Sequence, residues 1–197
     1  MNRTEIRRRI LAENDECAAR LSTRFEETGT LVVDLVSSPG SGKTTLLEET
    51  ARRLAGKHSM GAIVGDIATE MDASRLREAR LPAHQIVTGG ACHLDARMVE
   101  DGLSKCDFLP VDLLFLENVG NLVCPASYAL GEDFKAVLLS VTEGEDKPFK
   151  YPAIFARASV ALLTKVDLLP HLPYDMDRVE DQIRTLSPGV RIIRISA

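Results

Sequence analysis

Apolar positions along this chain follow two rhythms. Residues 2–28 place Ile6, Ile10, Leu11, Ala18, Leu21 and Phe25 at roughly helical spacing among charged residues, which predicts a helix packed on a domain's flank. From residue 31 short apolar runs alternate with helical stretches. Strands are expected at Leu31–Val36, Ala62–Val64, Gln85–Val87, Val111–Leu116, Ala136–Val141, Val160–Leu163 and Val190–Ile195. Helices are expected at Thr44–Leu54, Ala73–Arg80, Leu94–Lys105 and Arg178–Leu186. Gly65-Asp66 is read as ending the second strand. No element is assigned between Val141 and Val160. Val111–Leu116 is continuously apolar, the kind of strand buried on both faces. Strands joined through helices need crossover connections, so the fold class is α/β, a mostly parallel sheet with helices on both faces.

Composition narrows the class. The 197 residues suit one large domain, and 45% hydrophobic with 27% charged residues is the balance of an ordinary folded protein. No apolar run reaches the roughly 18 residues of a membrane helix, and "MNRTEIRRRILAEN" lacks a signal-peptide core. A cytoplasmic protein with no membrane partner is expected. A net charge of -5 argues against nucleic acid as the main partner. Cysteines stand at 17, 92, 106 and 124, and nothing suggests secretion, so they read as reduced thiols or metal ligands.

"LVSSPGSGKTTLLEE", from Leu35 to Glu49, carries the strongest chemistry. A strand leads into a glycine-rich loop, and Gly42-Lys43-Thr44 opens a helix: the arrangement of a phosphate loop. Gly40 and Gly42 free backbone N–H groups to curl around an anion, and the helix start adds its dipole. Gly40, Ser41, Gly42, Lys43, Thr44 and Thr45 form the candidate phosphate-binding set. Lys43 can reach the terminal phosphates and the Thr44 hydroxyl can bind Mg²⁺. The pattern's first glycine is Ser37 here, which predicts some backbone strain or a modified loop. Glu117, at the end of a buried strand, is a second candidate for Mg²⁺, and Gly120 can offer its N–H to a terminal phosphate. In "LLTKVDLLP", Asp167 can accept from guanine N1–H and its 2-amino group, donors that adenine lacks, while Lys165 lies along base and ribose. Thr164 replaces the usual Asn of that motif, at the expected loss of an amide tying the base loop to the phosphate loop. Ser196 and Ala197 in "RISA" are candidates for a contact to the guanine O6. The helix such folds place next is not present in the sequence.

Cys92-His93 precedes a helix start, which should lower the thiol pKa, and Cys124 follows Gly120 by four residues. Two thiolates and an imidazole suit Ni²⁺ or Zn²⁺, with a water or a second chain completing the ion. Cysteine is also a small buried hydrophobe and histidine a common surface residue, so spacing alone leaves a structural role open. Cys17, Cys106, His58, His84 and His171 read as structural.

"SSPGSGKTTLLEET", "GDIATEMDASR", "TGGACHLDARMV", "LLFLENVGNLVCPA", "VTEGEDKPFKYP" and "KVDLLPHL" together resemble HypB, the GTPase family that assists nickel insertion into [NiFe]-hydrogenase. The resemblance spans residues 4–197. It implies a single P-loop GTPase domain over 1–197, with a flanking helix at 1–28 and the G domain at 30–197. It also implies slow GTP hydrolysis, a nucleotide-bound homodimer, and a metal site of Cys92, His93 and Cys124 at its interface. Partners implied are a HypA-type zinc protein and the hydrogenase large subunit. Asp66 and Asp72 match acids near Mg²⁺ and the attacking water, and Lys147 matches a lysine reaching the nucleotide across the dimer. No Cys-x-x-Cys-Gly-Cys motif or histidine-rich stretch stands near the N-terminus, so nickel storage there is not expected. The competing readings are a urease-type nickel GTPase, which carries Cys-Pro-His where this chain has Cys-His, and a GTP-dependent interaction switch with structural cysteines. A phosphotransferase is disfavoured by the lack of an Arg-rich lid.

Overall fold

A computed structural model describes residues 2–197. Helix α1 (Arg3–Thr28) opens with a reciprocal cap. Asn2 Oδ1 accepts from Glu5 N–H at 2.9 Å, and Glu5 Oε2 accepts from Asn2 N–H at 2.7 Å. It ends at Gly29, whose φ of 66° is the left-handed geometry glycine reaches without strain. The strands follow as β1 (Leu31–Ser37), β2 (Met60–Asp66), β3 (Ala83–Val87), β4 (Leu113–Glu117), β5 (Phe134–Ser140), β6 (Val160–Thr164) and β7 (Arg191–Arg194). The helices between them are α2 (Lys43–Leu54), α3 (Met71–Glu78), α4 (Ala96–Leu103), α5 (Lys147–Lys150), α6 (Pro152–Arg157) and α7 (Met176–Leu186). All seven strands are parallel, in the order β3-β2-β4-β1-β5-β6-β7.

Alternation along β1 explains the layers. Val33 and Leu35 face one way, against Leu47 and Ala51 of α2 and Ala73 and Leu76 of α3. Val32 and Val36 face the other, in the cores that include α1, α4, α6 and α7. Asp34 lies between them on that second face, fully buried.

Most expected boundaries shift by one to a few residues, and three of the shifts have a visible cause. β2 runs through Gly65 to Asp66, because Gly65 clears space for a neighbour: a Cβ there would lie 2.7 Å from Leu94 Cγ. β4 begins at Leu113, since the Asp112 carboxylate instead accepts from the Ser59 N–H at 2.7 Å. α4 begins at Ala96, capped by Asp95, whose Oδ1 accepts from Met98 N–H at 2.8 Å. α5 and α6 occupy the stretch left unassigned, each led by a proline (Pro148, Pro152) where the first turn tolerates one.

Candidate nucleotide and metal site

β1 and β4 are neighbours, with Leu35 opposite Glu117, so the loop after one meets the acid ending the other. This is the strand-end crevice where ligands gather in open α/β sheets. Gly40 (φ 75°) and Gly42 (φ 97°) are left-handed, and a Cβ on either would meet nothing within 4 Å. The loop therefore opens toward a cavity of about 400 Å³, with Lys43, Asp72, Glu117 and Gly120 on its wall. A larger cavity, about 700 Å³, lies by Met60, Leu81 and Phe108 and includes none of the candidate site residues.

Ser37 does not strain the loop. It continues strand β1, and its φ is not positive. Its Oγ accepts from Lys43 Nζ at 2.9 Å and donates to the Ser38 carbonyl at 2.7 Å. Thr164 likewise keeps the tie expected to be lost: its Oγ1 donates to the Ser41 carbonyl at 2.7 Å. Thr164→Val should lower unfolding free energy by about 1–2 kcal/mol, since it leaves that buried carbonyl unpaired; urea denaturation checks this. Ser41 Oγ lies 2.7 Å from Glu143 Oε1, a carboxylate behind the phosphate loop that the sequence did not single out.

Thr44 Oγ1 lies 2.8 Å from Glu117 Oε1 and 3.0 Å from Asp72 Oδ1. Glu117 is buried and its Oε2 has no hydrogen-bond partner. Burial pushes its carboxyl up to about 7, and burial also pushes the Lys43 ammonium down. Asp66 is on the cavity wall, but its Oδ1 accepts from Ala68 N–H (2.9 Å) and Thr69 N–H (2.7 Å) of its own turn. Thr45 Oγ1 accepts from Arg75 at 3.2 Å.

At the far end Asp167 Oδ1 accepts from Ser196 Oγ at 2.6 Å, which joins two of the base-loop candidates. Ala197 follows on the exposed end of the chain. Lys165 is on the wall of the same cavity; its backbone is left-handed (φ 60°), and its Nζ donates to the Gly40 carbonyl at 2.8 Å, tying the base loop to the phosphate loop. Lys147 Nζ stands 3.4 Å from Ser38 Oγ, beside its own chain's phosphate loop.

Cys92 and His93 lie in the turn between β3 and α4, and Cys124 opens a 3₁₀ turn at Cys124–Ser127. Their ligand atoms all fall within 4.8 Å of one another. Cys92 Sγ donates to Cys124 Sγ at 3.0 Å and lies 3.8 Å from His93 Nδ1. The helix-start lowering expected for Cys92 is not what forms: α4 begins four residues on, and the hydrogen bond to Cys124 together with burial pushes the thiol up. The Tyr128 ring packs on His93 with centroids 4.0 Å apart, a contact the sequence did not announce. Among the described residues this is the one such cluster of His, Cys, Asp and Glu, and Cys17, Cys106, His58, His84 and His171 stand outside it.

A parallel sheet with a glycine loop and helix start facing a buried acid defines a P-loop nucleoside triphosphatase fold. Residues 31–194 match the CobW/HypB/UreG nucleotide-binding domain. The chain belongs to the HypB family within it. It is 51% identical over 196 residues to hydrogenase maturation factor HypB of Escherichia coli K12, covering 98% of this chain and 67% of that protein. It is 50% identical over 192 residues to the factor of the same name from Azotobacter vinelandii, covering 98% of this chain and 63% of that one. The chain thus spans about two thirds of the length of these relatives. The crystal structure of HypB from Helicobacter pylori in complex with nickel superposes with a TM-score of 0.89 at 40% identity, covering 93% of this chain and 86% of that one. No helix among the described residues is long and apolar enough to cross a membrane.

Proposed function

We propose that this chain is a GTP-hydrolysing nickel chaperone acting in [NiFe]-hydrogenase maturation. The observation that carries the reading is the meeting of two sites on one loop: Glu117 and Gly120 line the nucleotide cavity, and Cys124 completes the Cys92–His93 cluster a few residues on.

The residues fit their proposed ligands. The open glycine cradle of Gly40 and Gly42 suits a polyphosphate. Asp167 recognises guanine through N1–H and the 2-amino group, and Ser196 orients its carboxylate. The orphaned Glu117 Oε2 beside the Thr44 hydroxyl suits Mg²⁺, which Thr44, Glu117, Asp66 and Asp72 would hold. When bound, it supplies positive charge that offsets the phosphates. Lys43 neutralises the terminal phosphates, Asp66 and Asp72 orient the attacking water, and the Gly120 N–H senses the terminal phosphate. Cys92, His93 and Cys124 hold the cargo, Ni²⁺ or Zn²⁺. Nickel is favoured because the Helicobacter pylori relative was crystallised with it. Three ligands leave the ion incomplete, so a second copy supplies the rest in a nucleotide-dependent dimer. Exposed Ile67 and Val123, on loops around the two sites, and Met71, at the start of α3, are apolar groups available to such a contact. A HypA-type protein and the hydrogenase large subunit are the proposed donor and acceptor of the metal.

Cys124→Ala should weaken nickel binding at least tenfold, about 1.4 kcal/mol, with GTP affinity largely kept. Chelator competition and fluorescent-GTP titration measure the two, and an unchanged nickel affinity would mean the ligand assignment is wrong. Light scattering with GDP and with a non-hydrolysable GTP analogue, each with and without Ni²⁺, tests the dimer.

A further inference from the structure

Gly120 lies so close to the phosphate loop that a Cβ on it would stand 2.9 Å from Pro39 Cα. Two side-chain amides flank this contact. Asn118 is buried; its Oδ1 accepts from Leu94 N–H at 3.0 Å and its Nδ2 donates to Asp34 Oδ1 at 3.2 Å. Asn121 Nδ2 donates to the Cys92 carbonyl at 3.1 Å, while its Oδ1 accepts from Val123 N–H at 2.9 Å. The two amides therefore bracket His93: one grips the N–H that follows it and the other the carbonyl that precedes it.

This arrangement has a mechanical consequence. Cys124 follows any movement at Gly120 because it is on the same stretch of chain. The Cys92–His93 turn belongs to a distant segment and follows only if something ties it. Leu94 is fully buried over Gly65, so its N–H loses its partner if Asn118 moves without it, which is costly. We infer that Asn118 and Asn121 are positioning residues that carry the nucleotide state from Gly120 to the Cys92–His93 turn, so that all three metal ligands shift as one unit. The inference rests on the function proposed above, in which the Gly120 N–H senses the terminal phosphate on the stretch that carries Cys124, so that nucleotide state switches nickel binding. A third amide steadies the frame: Asn14 of α1 accepts from Ala96 N–H at 2.9 Å and donates to the Ala129 carbonyl at 2.9 Å, next to Tyr128.

The test compares nickel dissociation constants by chelator competition, with saturating GDP and with a non-hydrolysable GTP analogue. It uses the wild type, Asn121→Asp, Asn121→Ala and Asn118→Ala. Asn121→Asp keeps the acceptor for Val123 N–H but replaces the donor to Cys92 with a charged oxygen, and Asn121→Ala removes the donor without adding that charge. The wild-type ratio between nucleotide states should fall within the usual range of coupled sites, about 5- to 150-fold. In the Asn121 variants that ratio should drop at least roughly threefold toward one, and Asn118→Ala should act in the same direction. A uniform weakening in both nucleotide states with the wild-type ratio kept is what a merely structural role gives, and it overturns the inference. If Asn118→Ala fails to fold, the two Asn121 variants decide. A wild-type ratio of one overturns the switch itself, an outcome distinct from coupled nickel binding that ignores the amides.

Discussion

Glu117→Gln should make the nucleotide-free protein more stable above pH 7 and nearly indifferent to magnesium. The Glu117 carboxyl is buried against the phosphate loop, and burial lifts it from 4.5 to about 7. A carboxyl whose folded pKa lies above its unfolded value favours the fold only while protonated. Below pH 4.5 both states are neutral there and the group costs nothing. Between pH 4.5 and about 7 the unfolded chain ionises first, so the fold loses stability as pH rises. Above about 7 the cost levels off near 3 kcal/mol, at about 1.4 kcal/mol per pH unit across that interval. Glutamine removes this cost while its amide oxygen can still accept from Thr44 Oγ1. The gain should therefore be absent near pH 4 and grow to about 3 kcal/mol by pH 8. The same change removes the negative charge proposed to hold Mg²⁺, so magnesium should no longer improve GTP binding, a loss of at least roughly tenfold. Denaturant titrations from pH 4 to 9 and fluorescent-GTP titrations with and without Mg²⁺ measure both effects. A stability difference independent of pH would show that Glu117 does not titrate in this range.

That carboxylate was readable in the sequence because an acid at the end of an apolar strand is a local pattern. The phosphate loop and the seven strands were readable for the same reason: each is a contiguous run. Gly65 misled because a glycine looks like a stop, whereas its role is to make room for Leu94, a residue from another segment. α5 and α6 escaped because helices of four and six residues carry too few turns for an apolar stripe. Cys92, His93 and Cys124 were named by motif, but their convergence within 4.8 Å is a property of the fold. Ser37 and Thr164 looked like departures from the pattern, but Ser37 continues β1 without a positive φ and accepts from Lys43, and the Thr164 hydroxyl makes the tie to the phosphate loop in place of the amide. The amides of Asn118 and Asn121 left no signal beyond their places around Gly120, since their partners in other segments are 24, 84 and 29 residues away.

Lys135→Met should be the most damaging single change outside the nucleotide and metal sites, costing about 3–5 kcal/mol. Lys135 of β5 is buried between Asp34 and Glu132, with an ion pair to each; the Glu132 contact is 2.6 Å. Burial alone would pull its ammonium down, but the two carboxylates outweigh it and hold it above its ordinary range. Methionine fills the volume and removes the charge. Asp34 is then fully buried with only the Asn118 amide beside it, and burial already pushes its carboxyl up against the pull of Lys135. Either the carboxylate stays charged and unpaired, or it takes a proton; both lower stability at neutral pH. The loss should be partly recovered by Asp34→Asn in the same chain, because the double variant removes one of the stranded charges. Thermal melts should place Lys135→Met roughly 6–20 °C below the wild type. The damage should also reach the metal cluster, since Lys135 Nζ donates to the Tyr128 carbonyl at 3.1 Å and the Tyr128 ring packs on His93. A melting temperature within about 2 °C of the wild type, less than a 1 kcal/mol change would produce, would mean that the buried network contributes little.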